Sequence, residues 1–182
     1  MSRGPSALDQ SLFDAARAAA PRIFKKYGFT ANSEWLGNGA FGSAWLSSKG
    51  KVVKLTESES EAGLALLLEG QAPIGFPRVY AVRLVELQFP LYAIFMERVT
   101  PHSSLNETDR KRLASAVRAA EFGRDSDDPW VHDLAQAILT IDSMQGRPDL
   151  NLGNVGVAKD GSAVILDLGH DTEFHGGVKL AR

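Results

Sequence analysis

The segment Gly37-Asn38-Gly39-Ala40-Phe41-Gly42 constrains the fold more than any other part of the chain. Its G-x-G-x-x-G spacing is shared with dinucleotide-binding turns, but those lead from a strand into a helix and carry an acidic residue about 20 positions further on. Here the glycines lie between two β-like pieces, 34–36 and 43–46, so that crossover is excluded. A strand, glycine loop, strand arrangement is the one in which a hairpin covers nucleotide phosphates. A third strand, 52–55, follows across Ser47-Ser48-Lys49-Gly50-Lys51 and completes a small antiparallel meander. Lys54 closes the run Val52-Val53-Lys54 in that otherwise apolar strand. It is a solvated edge residue unless an anion faces it, and Glu61 or a phosphate is such an anion.

Around the meander, apolar periodicity predicts helices. Leu8, Leu12, Ala15, Ala16, Ala19 and Ile23 recur at helical spacing over 7–26, with Pro21 kinking or dividing the helix and Gly28 stopping it. A second helix is predicted over 58–69, with Glu59 and Glu61 in its first turns, and strands over 79–87 and 91–96. After Pro101 the pattern turns helical. Asn106 caps a helix to about Phe122 with Leu113, Ala116, Val117 and Ala120 inward, and Asp128-Pro129 starts another with Trp130, Leu134, Ala137, Ile138 and Ile141 on one stripe. The expectation is an α+β fold in three parts: a helical extension over 1–31, a sheet lobe over 32–99 and a helical lobe over 100–182.

Composition removes several function classes. The chain has no cysteine, so disulfides, thiolate metal sites and a cysteine nucleophile are impossible. A net charge of −2 gives no global basic field for nucleic acid or anionic lipid. No apolar run approaches the ~20 residues of a membrane span, and the expected location is the cytoplasm.

The C-terminal part offers a geometric deduction. Strands 155–158 and 163–166 flank Lys159-Asp160-Gly161-Ser162, and Asp-Gly is a two-residue hairpin signal. That register sets 155 against 166 and Asn154 against Asp167, with opposed Cβ atoms about 4.5–5.5 Å apart. An amide oxygen and a carboxylate so placed can share Mg²⁺, or they simply end two strands. Asp149 follows Pro148 in a non-helical loop, where it is a turn aspartate or a carboxylate able to receive a proton beside that metal.

Taken in order, the glycine loop 37–42, Lys54, Glu61, Arg147-Pro148-Asp149 with Asn154, and Asp167-Leu168-Gly169 resemble the protein-kinase-like superfamily over residues 35–169. The resemblance implies a bilobal fold that binds ATP and Mg²⁺. Gly37, Gly39, Phe41 and Gly42 would cover the phosphates. Lys54 would hold them and pair with Glu61, with Glu57 and Glu59 as alternatives. Phe95-Met96-Glu97-Arg98-Val99 resembles the hinge, so that Met96 takes the gatekeeper place and the backbone of Glu97 and Val99 meets adenine. Asp149 would be the catalytic base, and Asn154 and Asp167 the metal ligands. Asn151 stands where protein kinases carry lysine, and Asp-Leu-Asn-Leu-Gly-Asn reads closer to the small-molecule and atypical branch. The implied activity is phosphoryl transfer to a protein Ser/Thr or a small molecule; the alternative is a pseudokinase that binds nucleotide or regulates a partner. The resemblance further implies a reduced C-terminal lobe, as in very short bacterial or phage kinase-like proteins. The apolar faces of the 107–122 helix and its successor would then need cover from the 7–26 helix, a second copy or a partner protein.

Overall fold

The computed structural model describes residues 4–39, 42–144 and 148–167. The chain is α+β and divides into two compact units. Among the described residues, one contains those up to Glu69 together with Val79–Glu97; the other contains Gly70–Arg78 and those from Arg98 to Asp167.

The first unit begins with α1 (Ala7–Ala19), whose start is fixed by a reciprocal cap: Ser6 Oγ accepts from the Asp9 N–H and the Asp9 carboxylate accepts from the Ser6 N–H, both at 3.1 Å. Pro21 divides the predicted helix rather than kinking it. It occupies the first position of α2 (Pro21–Tyr27), where a missing N–H costs nothing, and Gly28 ends α2 at φ 83°. The strands β1 (Glu34–Gly39), β2 (Gly42–Leu46), β3 (Lys51–Thr56), β4 (Val79–Glu86) and β5 (Pro90–Glu97) form one antiparallel sheet in the order β1-β2-β3-β5-β4. The helix α3 (Glu59–Leu68), capped by Ser58, lies between β3 and β4 in the chain.

Alternation along the strands assigns the two faces of this sheet. Val53 and Leu55 on β3 and Ala93 and Phe95 on β5 join Trp45, Phe29 and the N-terminal Phe13, Ala16 and Phe24 in one buried cluster. Phe13 stacks on Trp45 with ring centroids 4.2 Å apart, and Phe24 meets Phe95 edge-on at 5.2 Å. Thus α1 and α2 bury their apolar faces on the sheet of their own unit. The intervening residue Lys54 points to the other face, toward α3, with which it forms an ion pair.

The second unit contains β6 (Thr100–Pro101), α4 (Glu107–Glu121), α5 (Pro129–Ser143), β7 (Val155–Val157) and β8 (Ala163–Ile165), with the three strands in the order β6-β7-β8. The two helices start at the predicted caps, Asn106 and Asp128. They pack on each other, and α5 also packs on β8. Leu113, Val117, Trp130, Leu134 and Ile141 are all buried. The expectation that these faces need a partner, a second copy or the 7–26 helix is therefore corrected, because the chain itself covers them and only Ile138 on that stripe stays half-exposed.

Two further contacts complete this unit. The 70–78 segment lies on α5 and β8: Ile165 N–H donates to Gly75 O at 2.9 Å, and a Cβ on Gly75, which sits at φ 80°, would come within 2.3 Å of Asp133 O. Only glycine fits there. Arg112 on α4 donates twice to the Asp128 carboxylate, at 3.0 and 2.7 Å, and lies 4.0 Å from the centre of the Trp130 ring. Among the described residues no helix is long and apolar enough to cross a membrane.

The predicted hairpin forms, but with a different register. Val155 pairs with Ile165, Gly156 with Val164 and Val157 with Ala163, one residue out of step with the expectation. The loop takes three residues, 159–161, because Gly161 adopts φ 91° and donates to Ala158 O while Ala158 donates to Ser162 O at 2.9 Å. The Asp160 carboxylate secures this turn by accepting from Ser162 N–H at 3.0 Å and Ser162 Oγ at 2.6 Å.

Candidate functional site

In the first unit the polar residue of interest is Lys54, brought onto the inner strand β3 between Ala44 and Ile94. Its ammonium pairs with the carboxylate of Glu61, in the first turn of α3. Of the three candidate glutamates, Glu61 is the one so paired. The pair is largely withdrawn from water, with the lysine side chain 19% and the glutamate 4% exposed. Glu61 is held in place from its own backbone, since its N–H donates to Ser58 Oγ at 3.2 Å.

The glycine-rich segment is a pair of antiparallel strands, as its flanks suggested, with Gly39 opposite Gly42. Gly37 lies at a bulge in β1. Gly42 is required for a different reason: a Cβ there would sit 1.8 Å from Leu55 O, so the backbone of β2 approaches β3 too closely for any side chain. Phe41 lies outside the described residues. Met96 is buried in β5 between Val52 and Val79, and Glu97, which ends that strand, pairs with Lys51. The chain then passes into the second unit, where half-buried Val99 stands against Gly156: a Cβ on that glycine would lie 2.6 Å from Val99 Cγ1.

In the second unit Asp149 is exposed and held by two side-chain amides. Its Oδ2 accepts from Asn151 Nδ2 at 2.8 Å and from Asn154 Nδ2 at 2.9 Å, and its Oδ1 accepts from the Asn151 N–H at 3.3 Å. Asn151 also accepts from Gly153 N–H at 2.8 Å, which caps the short 3-10 turn Leu152–Asn154 and carries Asn154 back toward Asp149. Sequence reading treated Asn151 only as a departure from a family pattern. Its part in orienting Asp149 was missed, although an Asp-x-Asn-x-x-Asn run offers amides at the right separations for such a closed loop.

Because Asn154 donates through Nδ2, its Oδ1 is left as an acceptor. Leu166 N–H donates to Asn154 O at 2.7 Å, so the residue opposite Asn154 is Leu166, and Asp167 is one position beyond. The directly opposed Asn154–Asp167 pair is thus corrected to an offset one. The amide oxygen and the carboxylate still have the chemistry of hard-cation ligands. Among the described residues no group of three or more His, Asp or Glu side chains could hold a metal ion by itself, so a cation here needs oxygens from a ligand or water as well. Arg147, Leu168 and Gly169 lie outside the described residues.

A cavity of about 480 Å³ borders this loop, lined by Glu121, Ile138, Pro148, Asp149, Leu150 and Asn151. Sequence reading did not find this cavity.

No protein-family model matches the chain, and no curated protein matches it. Among solved structures it is similar to the crystal structure of Rad53 1–466 in complex with AMP-PNP, with 21% identity and a TM-score of 0.47. The match covers 75% of this chain and 37% of that one.

Proposed function

We propose that the protein is a kinase-like phosphotransferase that uses ATP and Mg²⁺. The observation that carries this reading is the Asp149 carboxylate, exposed to a reactant yet fixed by Asn151 and Asn154. A carboxylate so oriented can take the proton of an acceptor hydroxyl as that oxygen attacks a phosphoryl group. In the other unit the Lys54–Glu61 pair supports the same reading, because a lysine drawn onto an inner strand by a buried carboxylate offers a fixed cation to phosphate oxygens. Glu61 is a positioning residue in this scheme.

The remaining roles follow the resemblance. Gly37, Gly39, Phe41 and Gly42 belong to the segment that covers the phosphates. Met96, Glu97 and Val99 belong to the stretch that receives adenine. Asn154 Oδ1 and Asp167 would hold Mg²⁺, which when bound neutralises charge on the transferring phosphoryl group. The protein's own contribution is then positioning and charge complementarity rather than covalent chemistry.

Thermal shift with ATP and Mg²⁺ tests the binding half. Ligand at tenfold its dissociation constant adds about 1.4 kcal/mol, a rise in Tm that Lys54→Met should remove. Transfer from labelled ATP to acceptors in lysate tests the chemical half, and Asp149→Asn should lower it by about 10²-fold or more. No stabilisation by millimolar nucleotide would overturn the proposal. Nucleotide binding without Asp149-dependent transfer would replace it with the pseudokinase reading.

A further inference from the structure

Phe95 is fully buried in β5, and three rings from one stretch of chain close on it: Tyr27 at 5.1 Å between centroids, Phe24 at 5.2 Å and Phe29 at 5.8 Å. Filling a core asks for apolar volume at such a place. It does not ask for polar ties, yet the same stretch is tied on both sides of β3 and β5. On one side the Tyr27 hydroxyl donates to Tyr80 O on the edge strand β4 at 3.3 Å. On the other, the turn between β2 and β3 holds the end of α2. Ser48 N–H and Oγ both donate to Gly28 O, at 3.2 and 3.0 Å, and Lys49 Nζ donates to Lys26 O at 2.8 Å.

The strand order β2-β3-β5-β4 makes these ties a span across two strands. Those strands are the ones that carry Lys54 on β3, and Met96 and Glu97 on β5. Val53 pairs with Phe95 on the face beneath α2, so alternation sets Lys54 and Met96 together on the opposite face. A slide or twist of β3 against β5 would change the separation of Lys54 from Met96 and Glu97. That separation is what a nucleotide has to match between its phosphates and its base. Docked on Phe95 and tied to β4 and to the β2–β3 turn, α2 opposes the motion.

We propose that α2 positions the nucleotide site from the far face of the sheet, with Tyr27 and Ser48 as its positioning residues. This rests on the nucleotide-binding half of the phosphotransferase reading and adds what fixes the spacing of the two ends of that site. Tyr27 acts through Phe95 and β4, and Ser48 through the β2–β3 turn.

The test is calorimetric titration of the full chain with ATP and Mg²⁺ well below Tm, together with amide hydrogen exchange at residues 52–54 and 94–97. Tyr27→Leu/Ser48→Ala should raise Kd by about fivefold or more and speed exchange at those amides. Tyr27 is half-buried and Ser48 exposed, so the pair of changes leaves the core in place. Tyr27→Leu/Ser48→Thr, which returns a hydroxyl at 48, should recover part of the affinity. The control is Val85→Ala, in the same core but opposite Leu91 at the other end of the β4–β5 ladder. It should lower Tm at least as much while Kd stays within about twofold of the unaltered chain. An unchanged Kd or unchanged exchange in Tyr27→Leu/Ser48→Ala, no recovery with threonine, or a Kd that follows Tm in Val85→Ala as well would each overturn the proposal and leave nucleotide binding standing. No binding of ATP by the unaltered chain would overturn the phosphotransferase reading and this proposal with it.

Discussion

Replacing Phe13 by alanine tests whether the N-terminal helices are integral to the first unit or a detachable extension. Phe13 has no exposed surface and touches three aromatic rings, with centroids 4.2 Å from Trp45, 5.9 Å from Phe24 and 6.4 Å from Phe29. Truncating a fully buried phenylalanine removes its transfer free energy and leaves a cavity, at a cost of about 3–5 kcal/mol. Rings from α2, β2 and the loop after Gly28 surround the gap, so collapse into it requires several elements to move together. Against a total stability of about 5–15 kcal/mol this is a large fraction. With a urea slope of about 2 kcal/mol/M, the midpoint should fall by about 1.5–2.5 M in an equilibrium titration followed by ellipticity. Leu8→Ala, at an α1 residue 68% exposed, is the control and should change stability by less than about 0.5 kcal/mol. A fall below about 0.5 M for Phe13→Ala would show that α1 contributes little to the sheet unit and would refute the integral-core account.

Lys54→Met should destabilise the protein by about 3 kcal/mol, since it leaves the Glu61 carboxylate buried without this cation, and adding Glu61→Leu should recover most of the loss in the same melt. Gly75→Ala should lower Tm far more than Gly161→Ala: both adopt positive φ, but a Cβ at Gly75 meets Asp133 O and one at Gly161 meets nothing. Stability should also decline in acid through Asp128. The Arg112 hydrogen bond, and secondarily the Trp130 N–H, hold its carboxyl below the ordinary value of 3.8, so its contribution is complete above about pH 5 and is lost as pH falls through the depressed folded value. Asp128→Asn, which keeps a cap but not the charge, should flatten that acid limb in denaturation curves taken from pH 6 to 2. Asn151→Ala should lower kcat for phosphoryl transfer by about tenfold with KM for ATP unchanged, because it frees Asp149 from one of its two amides.

Much of the architecture was legible because local signals and burial agree. Ser58, Asn106 and Asp128 cap the helices that apolar periodicity located, and Pro21 and Gly28 act where backbone geometry demands. The hairpin register was not legible. Asp160-Gly161 is compatible with two loop lengths, and Ser162 selected the longer by bonding the Asp160 carboxylate, which shifted every pairing by one. The short strand β6 was missed because two residues carry no periodicity and its partner β7 lies more than fifty positions on. At the candidate site, the Lys54 partner could not be chosen from spacing, since Glu57, Glu59 and Glu61 differ by only two residues each. The cavity depends on the juxtaposition of α4, α5 and the 148–151 loop, which no local pattern encodes.

The placement of residues 70–78 has a consequence for how the molecule can be taken apart and made. The chain leaves the first unit after Glu69, enters the second, returns at Val79 and leaves again after Glu97. A fragment starting at Arg98 would therefore lack the Gly75 carbonyl that receives Ile165 and the buried Phe76, while a fragment ending at Glu97 would carry those nine residues without the surface they seat on. During synthesis the sheet can close once β5 has left the ribosome, but 70–78 must wait for α5 and β8 to emerge before they find their place. The order of the genetic message thus makes the first unit hold a piece of the second in readiness, and any circular permutant or split-protein reporter built on this chain has to keep that piece in covalent continuity with both.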